Sequence, residues 1–131
     1  MMELNVTPNF DYKKILTFEN ACEKMNLDPL KLPDVSSLQA RYRKSVVACY
    51  KLRIIFEAVN NGWIPDWENR NQGKFFPWFV ILPSGISFTS VHSGTDFTHT
   101  SSGALFCTNT KMKAIYIGIQ FKKEYQEYLL S

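Results

Sequence analysis

No run of apolar residues in this sequence approaches the length needed to cross a membrane. Thiols and imidazoles are few, with three cysteines and two histidines in 131 residues. Cys22, Cys49 and Cys107 are odd in number and far apart. A disulfide framework or a zinc site would need closer pairs. Each cysteine has apolar neighbours, as in Val46-Val47-Ala48-Cys49-Tyr50, which suits a reduced, buried thiol in a cytoplasmic protein. The six glycines are scattered. None forms a Gly-rich turn between a strand and a helix, so nucleotide hydrolysis and dinucleotide chemistry are disfavoured. No Gly-x-Ser-x-Gly elbow occurs. The N-terminus has no basic region followed by an apolar one, so no secretory signal is expected. The net charge of +3 is mild; it permits attraction to nucleic acid without implying it.

What the chain does have is aromatic surface. All three tryptophans and three of the ten phenylalanines lie between Gly62 and Phe79. They sit where a helix-like half meets a strand-like half. So much rigid aromatic area is either core or a surface offered to a partner.

An apolar content of 45% over 131 residues fits one domain, residues 1–131, with a sizeable core. Residues 1–16 read as an irregular N-terminal arm. Thr17 can cap a short helix whose apolar face is Phe18, Ala21, Cys22 and Met25. Asp28-Pro29 ends it. Ser36 or Ser37 is expected to open the longest helix, which runs to about Asn60, with a break possible near Ser45 to Ala48. From Val46 to Val59 only Lys51, Arg53 and Glu57 are charged, and a helix apolar on most sides is a central one. Asn60-Asn61-Gly62 supplies the stop. Gly62 to Lys74 reads as a loop. Pro77 to Leu82 and Ile86 to Val91, joined by Pro83-Ser84-Gly85, read as a β-hairpin. Ala104 to Cys107 is a candidate third strand. Thr108 or Thr110 can cap a last amphipathic helix, expected to run to Leu130. Gly118 interrupts its apolar stripe, at a cost to helix stability, which suggests close approach of another backbone. The fold expected is α+β: a mostly buried central helix and an amphipathic C-terminal helix packed on a small antiparallel sheet of two to three strands.

Three constellations carry possible chemistry. His92, Asp96 and His99 share one loop and could hold a divalent metal. Their spacing matches no common motif, and their Ser/Thr/Gly neighbours suit a solvated loop. The same residues could serve a nucleophilic triad, but any loop of this composition offers such candidates. Arg43, Lys44 and Lys51 fall on one side of an ideal helix, and such a stripe can contact phosphates. Arg70 and Lys74 flank the aromatic segment, where exposed rings beside cations can stack bases. A solvated helix face and core aromatics explain both basic groups more simply. No cofactor and no metal are expected, and no catalytic residue is assigned.

The run Ala58-Val59-Asn60-Asn61-Gly62-Trp63-Ile64-Pro65-Asp66-Trp67, with Asn71-Gln72 and Phe76-Pro77-Trp78-Phe79, resembles a family of small uncharacterised proteins. Phages and integrated mobile elements of Bacteroidetes encode them. Ser84-Gly85 before Phe88, Gly118-Ile119-Gln120-Phe121, and the Tyr and Leu pattern from Tyr125 to Leu130 extend the likeness over most of the chain from about Thr17. The resemblance implies a phage or mobile-element origin and a cytoplasmic setting. It supplies no catalytic residues. The function expected is a non-enzymatic accessory protein that binds another macromolecule, protein before nucleic acid, and not a membrane. The candidate contact residues are Trp63, Trp67, Arg70, Lys74, Phe75 and Trp78. The alternatives are a single-stranded nucleic-acid module and, behind it, an enzyme or metal site at His92, Asp96 and His99.

Overall fold

A computed structural model describes residues 6–69, 71–93 and 106–130. A 3-10 turn, Tyr12–Lys14, leads into α1, Phe18–Lys24. The long helix α2, Ala40–Asn60, comes next. Strands β1, Phe75–Leu82, and β2, Gly85–Ser93, form an antiparallel hairpin. Helices α3, Lys111–Gln120, and α4, Lys122–Leu130, complete the chain. This is the α+β arrangement expected from the sequence, with two strands among the described residues. The candidate third strand, Ala104 to Cys107, falls partly outside them. Next to it in the chain, Thr108 meets the sheet through an isolated bridge to Phe75.

The local signals act as their chemistry requires. Thr17 caps α1 by accepting from the Asn20 amide at 3.0 Å. Thr110 does the same for α3 through the Lys113 amide. Asn61 closes α2 in the left-handed conformation, φ 47° and ψ 50°. Its side chain also ties down the arm: Asn61 Oδ1 accepts from the Thr7 amide, and Nδ2 donates to the Thr7 carbonyl, both at 2.8 Å. Lys24 Nζ donates to the same Asn61 Oδ1 at 2.8 Å. The arm is therefore irregular yet docked. Ile15 is buried in the core, and Tyr116 Oη donates to its carbonyl at 2.8 Å.

Helix α2 begins at Ala40, later than expected, and runs unbroken to Asn60. Residues 36–39 are held outside the helix. The Ser36 amide donates to Asp34 Oδ1, while Arg43 donates to the carbonyls of Ser36 and Leu38. The C-terminal half of α2 is the buried one: Leu52, Ile54, Ile55, Phe56, Ala58 and Val59 all lie in the core.

The last helix is two helices. The break falls at Phe121, with φ −111° and ψ 31°. The continuous apolar stripe serves two sets of neighbours: α3 packs on both strands, and α4 packs on α2 and β2. A run of rings ties these layers together. Phe79 contacts Phe88 at 5.9 Å and Tyr125 at 4.6 Å, Tyr125 meets Phe56, and Phe56 stacks on Phe106 at 5.6 Å.

Gly118 sits where α3 crosses the sheet. A Cβ there would lie 2.5 Å from a Phe88 ring carbon and 2.9 Å from Pro77 Cβ. The close approach is by side chains of the strands, which corrects the expectation of a neighbouring backbone.

Candidate functional site

The core is built from phenylalanine, aliphatic residues, Tyr125 and two cysteines, and every tryptophan is left at least partly accessible. The loop between α2 and β1 presents the first two. Trp63 is half-buried beside the end of α2, its amide donating to the Asn60 carbonyl. Ile64 is 61% exposed and Trp67 is 38% exposed.

Two side chains bolt this loop. The Gln72 amide spans it, with Oε1 accepting from the Asp66 amide at 2.6 Å and Nε2 donating to the Ile64 carbonyl at 3.3 Å. Lys74 is only 5% exposed. Its ammonium donates to the carbonyls of Asn69, at 3.1 Å, and Gln72, at 3.3 Å. The Trp67 ring covers it, 5.3 Å from Nζ, a favourable geometry for a cation over an indole face. A buried ammonium needs such partners to offset lost hydration. Lys74 is thus a loop anchor rather than a solvent-facing contact. Phe75 is half-buried, and its backbone exchanges both hydrogen bonds with Thr108, at 2.8 and 2.9 Å. Arg70 lies outside the described residues.

Strand β1 supplies the other part of the surface. Its inner positions, Pro77 and Phe79, face the helices. Its outer positions are Phe76, half-buried, then Trp78, Val80 and Leu82, which are 49%, 41% and 43% exposed. Register places Trp78 opposite Ser90 and Val80 opposite Ser87, and the pairing shifts between Trp78 and Phe79. That shift leaves Thr89 as the extra residue of a β-bulge, which sharpens local twist. Ile81, at the hairpin tip, is exposed as well. Sequence reasoning singled out Trp78 but missed Ile64, Val80 and Leu82. An unbroken apolar run suggests a strand covered on both faces. Only the size of the sheet, two strands among the described residues against a few helices, signals that Trp78, Val80 and Leu82 are exposed.

The loop of His92, Asp96 and His99 lies beyond the described residues, apart from the backbone of His92. Among the described residues no three His, Cys, Asp or Glu gather as metal ligands, and no helix is long and apolar enough to cross a membrane. Cys107 is buried, and desolvation pushes its thiol up to about 11, partly opposed by the nearby Lys74 charge. A thiol so held stays protonated and is a poor nucleophile.

No protein-family model matches the chain, and neither a curated protein nor a solved structure matches it significantly.

Proposed function

We propose that this chain is a non-enzymatic accessory protein that binds another protein through the bolted loop and the outer face of β1. One observation carries the reading: Trp78, Val80 and Leu82 stand in a row, each more than two-fifths exposed, on a strand whose opposite face turns Pro77 and Phe79 toward the core. Rings and branched chains on a rigid strand provide contact area at small entropic cost on binding. The Gln72 and Lys74 bolts extend that economy to Ile64 and Trp67, because a loop already fixed loses little freedom when it docks. The likeness to phage and mobile-element proteins supports an accessory role in such an element, in the cytoplasm of its host.

The single-stranded nucleic-acid reading draws less support. It needs a cation beside exposed rings, and Lys74 spends its ammonium on two loop carbonyls.

The test is partner retention by the tagged protein in host extract treated with nuclease. The triple variant Ile64→Ser/Trp78→Ser/Leu82→Ser, melting like the wild type, should lose the retained protein. Equal retention by both, or retention that nuclease abolishes, would refute the proposal.

A further inference from the structure

The N-terminal half of α2 borders a groove that the aromatic surface does not use. It holds about 300 Å³ and is lined by Val35, Arg43, Lys44, Val47, Ala48 and Lys51, with Glu127 of α4 on one wall. Arg43 is pinned, donating from Nε to the Leu38 carbonyl at 2.9 Å and from Nη2 to the Ser36 carbonyl at 3.0 Å. These bonds fix the connector that carries Val35, and the guanidinium fork has further N–H donors to offer. Lys44 is exposed. Lys51 lies half-buried beside the Phe18 ring, 5.4 Å away.

The spacing is informative. Arg43 and Lys51 are separated by about 12 Å along the helix, at about 1.5 Å per residue. Val47 stands midway between them. An extended peptide covers that distance in about four residues, at about 3.3 Å each.

We propose that this groove binds an extended acidic peptide segment, in which two carboxylates about four residues apart flank an aliphatic side chain. The carboxylates meet Arg43 and Lys44 at one end and Lys51 at the other. The aliphatic group covers Val35, Val47 and Ala48. Cations flanking apolar lining fit this chemistry better than a phosphate backbone, which has no apolar group to bury against Val35, Val47 and Ala48. The inference rests on the protein-binding reading but uses a different surface from the strand face.

Fluorescence anisotropy on the purified full chain tests it. The probe is a fluorescein-labelled Glu-Ser-Leu-Ser-Glu peptide. Controls are the same peptide with lysine for glutamate, the same with serine for leucine, and a single-stranded oligonucleotide. The glutamate–leucine peptide should bind saturably and weaken as salt rises. Lys44→Glu, with an unchanged melting temperature, should weaken it about tenfold and improve binding of a peptide carrying lysine at the first position. No saturable binding at millimolar protein would overturn the proposal. So would equal binding of the lysine or serine peptide, or preferential binding of the oligonucleotide. Because the assay contains only peptide and this protein, its failure leaves the strand-face proposal to its own test.

Discussion

Replacing Gly118 by alanine sets two effects of opposite sign against each other. In an exposed helix the change would stabilise by about 1 kcal/mol, from backbone entropy alone. Here the new methyl would meet Phe88 ring carbons at 2.5 and 2.6 Å and Pro77 Cβ at 2.9 Å. Real methyl contacts lie near 3.5–4.0 Å, so the ring must retreat by about 1 Å. The ring is held by Phe79, 5.9 Å away, and Pro77 is rigid and buried. Overpacking of this kind costs about 1–3 kcal/mol. With two stiff neighbours the upper half of that range applies, and the net loss is about 1–2 kcal/mol, a fall in melting temperature of about 3–8 °C for a domain of this size. The diagnostic assay is a double-mutant cycle by thermal and urea unfolding. In a Phe88→Ala background the ring is gone and the alanine penalty should shrink by at least about 1 kcal/mol. A rise in melting temperature for Gly118→Ala alone, or the same penalty in both backgrounds, would refute the packing argument.

Phe56→Ala should cost about 3–5 kcal/mol by urea unfolding, since its ring is buried between Phe106 and Tyr125; a loss under about 1 kcal/mol would place it outside the core. Lys74→Met keeps the aliphatic stem and removes two hydrogen bonds from an ammonium, so stability should fall by about 1–3 kcal/mol and amide exchange at Asp66 should quicken. Unchanged exchange there would show that Lys74 does not fix the loop. Cys107 is raised to about 11 in the folded protein, so its contribution is intact below the unfolded thiol value of about 8.5 and is lost as pH climbs through 11. Stability should decline over that interval, less steeply in Cys107→Ala. Tyr125, also raised by burial, adds a decline of the same sign from about pH 10 upward, where the unfolded phenol ionises, and Tyr125→Phe removes it; an identical slope in Cys107→Ala would contradict the assignment.

Much of the scaffold is legible in the residues. Thr17, Thr110 and Asn61 act locally, through their own side chains and dihedrals, and local signals survive any tertiary context. The core half of α2 is legible because few charges interrupt Val46 to Val59. The start of α2 is not. It is decided by Arg43 reaching back to the Ser36 and Leu38 carbonyls, a contact that no propensity encodes. The break at Phe121 is hidden for a similar reason, since one apolar stripe reads as one helix whether it faces one neighbour or two. The candidate surface is legible only in outline. Tryptophan content marks the segment, but Lys74 looks like a surface cation until the loop wraps it. Val80 and Leu82 look like core until the sheet stops at two strands among the described residues.

The central claim is that position 78 meets a protein partner. Photocrosslinking tests it most directly, with a benzoylphenylalanine at position 78 and, as a control, at exposed Arg53 on α2. In host cells the probe at 78 should give one discrete, nuclease-resistant protein adduct, and the probe at 53 should not. Adducts of equal yield at both positions, or an adduct at 78 that nuclease removes, would contradict the account.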